Sequence, residues 1–271
     1  MREQLVTLIL ERIEREPARV AGDFAAEQNI GTKHCVIDDL LPAEVAHSIA
    51  NVFPPTDDMR LMRNFREWKY TSKSLAKFHP IITDITFAFQ DKRIIEKIAE
   101  LTGIKDAVGD PRLYAGGLSA MDKGHFLNPH IDNSHDAEQK NYRVLNLLYY
   151  VTPDWRAENG GNLELWNSDV TESIEIPSLF NRLVLMATNE RSWHSVNEVK
   201  TDGTRRCISN YYFSPYSPNG HETFHVTYFM ARPEQKLRRV FTRLDSDIRT
   251  LARRLRKKGF AKKDLYESKT P

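Results

Sequence analysis

Apolar residues recur at helical spacing at the start of the chain. In "REQLVTLILERI", Leu5, Leu8, Ile9 and Ile13 lie three or four residues apart between charged side chains, the stripe of an amphipathic helix. "LPAEVAHSIANVF" predicts a second helix, with Pro42 near its start. "DKRIIEKIAELTG" predicts a third, from a capping-type Asp91 to Gly103 as its stop. Between them, "PPTDDMRLMRNFREWKYTSKS" has no clear period and reads as a long loop with short helical pieces, the kind of segment that often forms a binding loop or lid.

The texture changes near Pro111. "RLYAGGLSAM", "YRVLNLLYYVT", "NLELWN", "SIEIP", "RLVLMAT" and "RRCISNYYFSP" are short β-type segments, separated by turn signals such as "AENGG", "SLFN" and "KTDGT". "ETFHVTYFM" is one more. Short strands at this spacing predict a sandwich or barrel. The fold class is therefore mainly β with flanking helices. One domain is expected over residues 1–231, helical to about 105 and a β-core from about 111. A basic extension, 232–271, is expected to be helical from Pro233, with Ser246 as a second N-cap. No internal repeat or linker-like composition divides the chain.

Composition narrows the class. The chain has 271 residues, 40% of them hydrophobic and 28% charged, as in ordinary globular proteins. It contains no run of about eighteen apolar residues, so no membrane span is expected. The first helix lacks the pattern of a signal peptide. Two cysteines, Cys35 and Cys207, form neither a disulfide scaffold nor a metal spacing, and a reducing cytoplasmic setting is expected. The net charge of +2 conceals an asymmetry. Lys236 to Lys263 holds twelve Lys or Arg against two Asp, a net of +10, which leaves −8 on the remainder. The simplest reading is a solvated amphipathic helix that docks on the body, or on a second copy in a homo-oligomer. An acidic partner is the alternative, and nucleic acid is not expected.

Candidate chemistry begins with "FLNPHIDNSHD", residues 126–136. An H-x-D triplet arises by chance roughly 0.6 times in a chain with this many His and Asp, so His130 and Asp132 mean little alone. A third ligand must come from elsewhere. His194 follows the β-type segment "RLVLMAT", and Arg205 opens "RRCISNYYF". Strand alternation puts Arg205, Cys207, Ser209 and Tyr211 on one face, and an Arg buried there needs an anion. Two His and one carboxylate form the facial triad that holds non-haem Fe(II) and leaves three positions open. The same donors can hold zinc, so a zinc hydrolase and a non-catalytic metal-binding sensor remain open on the residues alone.

Residues 111–215 resemble the Fe(II)/2-oxoglutarate-dependent dioxygenases, most closely their prolyl-hydroxylase-like branch. The family pattern of H-x-D, then His, then Arg or Lys about ten residues on is matched by "HID", "WHS" and "TRR". "LNLLYYVTPDW", "ENGGNLELW" and "FNRLVLMATNERSWH" resemble further family strands. The resemblance implies a double-stranded β-helix core of jelly-roll, cupin-like type, packed by the N-terminal helices. It implies Fe(II), 2-oxoglutarate and O2 as cofactors, and hydroxylation with release of succinate and CO2. His130, Asp132 and His194 would bind iron, and Arg205 the distal carboxylate of 2-oxoglutarate. Tyr150 matches a position whose hydroxyl contacts that carboxylate. Ser209 would add a hydrogen bond, Leu148 and Leu163 would wall the co-substrate, and Asn146 would face the pocket. Arg206 would point outward. His125 and His135 are not expected to ligate metal, and Trp155 is expected to pack in the hairpin or core.

One departure bears on the substrate. Protein prolyl hydroxylases usually carry a Tyr on the strand before H-x-D, where this chain has Ala120 and Met121. The expected substrate-facing segments are the 54–78 loop, "DNSHDAEQKNY" and residues near Trp193. They are rich in polar groups: Asp57, Asp58, Arg60, Arg63, Arg66, Lys69, His135, Asp136 and Asn141. A polar small-molecule or glycan-type substrate is expected. A prolyl-type hydroxylase that acts on an acidic protein partner is the alternative.

Overall fold

The structure, a computed structural model, describes residues 1–26, 30–114 and 116–235. Helices and strands divide as the hydropathy pattern requires. α1 (Arg2–Ile13) buries Leu5, Val6, Ile9 and Ile13 on one stripe. α2 (Pro17–Ala25) starts on a proline, whose missing N–H costs nothing at a helix start. Strand β1 (His34–Ile37) and α3 (Ala43–Asn51) follow.

The 54–78 segment departs from the sequence reading. It opens with a 3₁₀ turn, Thr56–Asp58, and then forms a hairpin of β2 (Arg60–Arg63) and β3 (Glu67–Ser72), paired from Arg60↔Thr71 to Arg63↔Trp68. A second 3₁₀ turn, Leu75–Lys77, closes it. β3 does alternate, but in the opposite sense to most strands. Glu67, Lys69, Thr71 and Lys73 face a cavity, while Trp68 and Tyr70 pack against His125 on the other side. The alternation Glu67, Trp68, Lys69, Tyr70, Thr71 is a period-two pattern that the surrounding charges of the segment mask.

Two further helices complete the helical layer. α4 (Pro80–Ala88) is apolar on nearly every face and buries Ile81, Ile82, Ile85 and Ala88. α5 (Lys92–Thr102) is capped by Asp91, which accepts from the Arg93 N–H, and stops at Gly103 in the left-handed region.

The remaining strands are β4 (Gly117–Met121), β5 (Phe126–Ile131), β6 (Tyr142–Tyr150), β7 (Leu163–Trp166), β8 (Ser173–Ile176), β9 (Arg182–Ala187), β10 (His194–Val196), β11 (Arg205–Ser214) and β12 (Tyr228–Phe229). All described pairings are antiparallel, in the order β1-β9-β6-β11-β4-β3-β5-β10-β7-β8. β3 is the seam. Its Tyr70–Ser72 half pairs with β4, and its Glu67–Trp68 half with β5. The sheet folds over at that strand, so β1-β9-β6-β11-β4 faces β5-β10-β7-β8 as a double-stranded β-helix.

Alternation on the larger layer separates two cores. Leu145, Leu147, Tyr149, Leu183, Leu185, Ile208 and Tyr212 pack outward against the helices. Leu148, Tyr150, Val184, Met186 and Cys207 point between the layers. "ETFHVTYFM" shrinks to β12, which pairs Phe229 with His130. Pro233 and Glu234 form a turn, and the basic helix expected beyond them, with its docking role, lies outside the described residues. No helix among the described residues is long and apolar enough to cross a membrane.

Asn181 ties the layers to the helical part. Its φ is 59°, a left-handed turn that Asn tolerates. Its buried side chain accepts from the Tyr149 hydroxyl at 2.9 Å and the Leu41 N–H at 3.1 Å, and donates to the Leu41 carbonyl at 2.6 Å. Asn181→Leu leaves those groups buried without partners and is expected to lower the unfolding free energy by about 3 kcal/mol. Urea denaturation checks this.

Candidate metal and co-substrate site

His130 is the penultimate residue of β5 and His194 opens β10, and the two are direct cross-strand partners. Their rings lie 4.1 Å apart. Asp132 follows β5 by one residue, with Oδ1 3.7 Å from His130 Nε2 and Oδ2 3.5 Å from His194 Nε2. One ligand atom from each of the three lies within 4.8 Å of the others.

The donor set fits a divalent metal. His130 Nδ1 lies 3.0 Å from the carbonyl of Asn128, and His194 Nδ1 lies 2.9 Å from that of Ser192. A carbonyl only accepts, so each Nδ1 carries the proton and each Nε2 keeps its lone pair aimed at the shared centre. Burial, then the neighbouring His194, pushes the His130 imidazole down to about 3, so the ring is neutral at ordinary pH. Burial alone would raise the Asp132 carboxyl, but the Arg143 guanidinium beside it holds it well below the usual carboxylate range.

Arg143 and Asn146 complete this end. Arg143 Nη1 lies 2.8 Å from Asp132 Oδ2, and Asn146 Nδ2 donates to the same oxygen at 2.7 Å. The sequence reading gave Asn146 a place in the pocket and gave Arg143 none. The signal was an arginine inside an otherwise apolar strand, "YRVLNLLYYV", since a buried Arg demands an anion.

A cavity of about 340 Å³ runs from this triad to Arg205. Asn146, Leu148, Leu163, Ser209, Cys207 and Tyr211 line it. Arg205 is 3% exposed, and no carboxylate pairs with it among the described residues. Its Nε donates to the Gly161 carbonyl at 3.1 Å, and its guanidinium lies 4.7 Å from the Tyr150 ring centre. Tyr150 stands behind Arg205 rather than on the cavity wall. Its hydroxyl is buried without a hydrogen-bond partner, and burial pushes its pKa up to about 12. Gly161, with φ +68°, lets the hairpin approach closely, since a Cβ there would lie 3.2 Å from Arg205 Cγ. Arg206 points the other way, donating to the Ala50 carbonyl.

The cavity mouth was only partly foreseen. Lys69 lines it, together with Glu67, Thr71, Lys73, Thr227 and Phe229. Phe229 stacks on His130 at 5.2 Å. Arg63 lies over Trp68, and Arg66 over Phe65 and Phe229. Asp136 caps its own turn, accepting from the Glu138 and Lys140 N–H groups and from Asn141. His135 packs on Tyr142 and Phe224, away from the triad. His125 stacks on Trp68 and Tyr70, and Trp155 donates to the Gly160 carbonyl in its hairpin.

A metal held only by the folded triad must stabilise the fold. Co(II) at a hundred times its dissociation constant is expected to add about 3 kcal/mol to the unfolding free energy. His194→Ala should abolish that gain, as read from melting temperatures with and without metal.

A family model described as the 2OG-Fe(II) oxygenase superfamily matches residues 116–214. Over 126 residues, 39% of the chain, the sequence is 35% identical to the prolyl 3-hydroxylase OGFOD1 of Mus musculus. That match spans 22% of the length of the mouse protein. Among solved structures, the chain is similar to a prolyl hydroxylase from Trichoplax adhaerens in complex with a hypoxia inducible factor peptide fragment. The TM-score is 0.53 and the identity 17%, over 76% of this chain and 92% of that one. A prolyl 4-hydroxylase from Phytophthora capsici gives a TM-score of 0.52 at 15% identity, over 92% of this chain and 77% of its own. These structural likenesses share the double-stranded β-helix, and the match to residues 116–214 spans the triad, Arg205 and the strands that carry them. Residues 116–214, the β-core of this chain, match the 2OG-Fe(II) oxygenase superfamily model.

Proposed function

We propose that the chain hydroxylates an unactivated C–H bond of a polar small-molecule or glycan-type substrate, with turnover of 2-oxoglutarate and O2 to succinate and CO2. The observation that carries the co-substrate is Arg205, a buried cation without an acidic partner at the far end of a cavity whose near end is the His130, Asp132 and His194 triad. A dicarboxylate that bridges the two ends satisfies both.

Fe(II), when bound, supplies the oxidising chemistry that couples decarboxylation of 2-oxoglutarate to oxygen insertion. The residues supply position. His130, Asp132 and His194 hold the metal through neutral imidazoles and one carboxylate. Arg205 receives the distal carboxylate in a planar pairing, with the Tyr150 ring packed against its guanidinium from behind. Ser209 adds a polar contact. Leu148 and Leu163 flank the co-substrate with apolar surface and keep water from its chain. The substrate meets the opposite side, where Glu67, Lys69, Thr71 and Lys73 project from β3. Lys69 and Glu67 pair at 3.0 Å there, a donor and an acceptor suited to hydroxyl-rich molecules. A prolyl-type hydroxylase acting on a protein is the second reading, favoured by the 35% identity to the mouse prolyl 3-hydroxylase.

Anaerobic addition of Fe(II) and 2-oxoglutarate should produce a metal-to-ligand charge-transfer band that His194→Ala abolishes. Folded wild-type protein without the band overturns the proposal. Succinate release driven by saccharide pools and not by prolyl peptides supports the first reading; the reverse supports the second. Gly161→Ala crowds Arg205 and should weaken 2-oxoglutarate binding about tenfold, by a shift of roughly 1.4 kcal/mol, in titrations that follow the band.

A further inference from the structure

β6 carries a bulge beside the triad. Its pairing with β11 runs Tyr211↔Asn146 and Tyr212↔Leu145, then Phe213↔Arg143, so Val144 is an extra residue. Val144 and Leu145 both pack outward against the helices. Arg143 is thereby turned to the inner face, the face of Asn146 and Leu148, where an unbroken strand would have sent it outward. Its side chain is 1% exposed and sits 4.1 Å over the Tyr211 ring, with Nη2 donating to Asn133 at 2.9 Å. The bulge therefore places a fixed cation at the outer oxygen of Asp132.

The two oxygens of Asp132 are unequal as a result. Oδ2 is held by Arg143 Nη1 at 2.8 Å and Asn146 Nδ2 at 2.7 Å. Its other near neighbour, His194 Nε2 at 3.5 Å, carries a lone pair rather than a proton, because His194 Nδ1 donates to Ser192. One lone pair of Oδ2 takes the Asn146 hydrogen bond, and the Arg143 guanidinium stands against the same oxygen as a buried ion pair without hydrogen-bond geometry. Oδ1 faces His130 Nε2 at 3.7 Å and keeps its own lone pairs. We propose that Arg143 and Asn146 are positioning residues that restrict Asp132 to one-oxygen ligation through Oδ1. Three positions of an octahedral ion then stay open, two for 2-oxoglutarate and one for O2. A carboxylate free to give both oxygens would take one of the three. The inference rests on the co-substrate reading above.

The test counts water on the metal. Mn(II) is an octahedral stand-in with the same charge, and the relaxation it imposes on water protons scales with the number of exchanging waters it carries. The wild-type Mn(II) protein should carry three, falling to one with 2-oxoglutarate. Arg143→Met frees Oδ2, so relaxation per bound Mn(II) should fall by about one third without 2-oxoglutarate, and to the outer-sphere value with it. Asn146→Val frees one lone pair of the same oxygen and should move both values the same way, which keeps the test intact if Arg143→Met does not fold. Electron paramagnetic resonance of free Mn(II) gives the amount bound. A purely structural role lowers that amount and leaves relaxation per bound ion unchanged. Wild-type values per bound ion in both variants overturn the inference while leaving the co-substrate reading standing. A wild-type protein whose relaxation does not drop with 2-oxoglutarate overturns the co-substrate reading instead.

Discussion

Asp132 and Arg143 meet 2.8 Å apart between the layers of the sandwich, and the charges around them set what the cavity can hold. An unpaired ion in that position costs several kcal/mol, so a carboxylate needs a cation beside it even before metal arrives. Arg143 answers Asp132. Arg205, at the other end of the same cavity, is left without an answering anion among the described residues. A divalent metal on the triad adds two more positive charges. The cavity with metal thus lacks a dianion long enough to reach from the triad to Arg205. A dicarboxylate meets that need in charge and in reach, and the same balance couples the two ligands: each makes the other's desolvation less costly.

The two imidazoles are set by backbone rather than by acidic partners. Each donates from Nδ1 to the carbonyl two residues earlier, His130 to Asn128 and His194 to Ser192. Cross-strand pairing of His130 with His194 then brings the free Nε2 atoms to a common centre. Register and tautomer are therefore one constraint. A one-residue slip between β5 and β10 would send one imidazole to the opposite face. Asp132, two residues after His130, shares its face by the same alternation and stands just past the end of β5.

The sequence made the site legible in parts, and the parts differ physically. The triad and Arg205 were readable because H-x-D, a later His and an Arg about ten residues on stand in order among strands that match a family pattern. Helices α1, α3 and α5 were readable from stripe and caps. The β2–β3 hairpin was not, because β3 turns its polar residues toward the cavity and its aromatics toward His125. α4 was missed because apolar residues dominate it and Asp84 is its one charge, so its buried stripe stands out weakly against the rest. Arg143 was hidden by the bulge: strict alternation from Tyr150 and Leu148 assigns it to the outer face, and only the extra residue Val144 brings it inward. Bulges leave no residue signature as clear as a cap or a turn, so the same reasoning that placed Asn146 correctly could not place Arg143.

A segment beyond β11 closes over the triad end of the cavity. The segment that carries Thr227 and Phe229 crosses the triad, pairs with β5 and lays Phe229 on the His130 ring. Just beyond it, Arg232 grips Glu164 through both carboxylate oxygens, at 3.0 and 2.6 Å. Glu164 in turn accepts from Ser195, the residue after His194, and Ser195 accepts from the Trp166 indole. The covering segment is thus tied to the strand that bears the distal metal ligand. The remaining side of the mouth is β3, whose Glu67 and Lys69 stand at the seam where the sheet folds over. The one strand that belongs to both layers is thus also the strand whose inward face is polar.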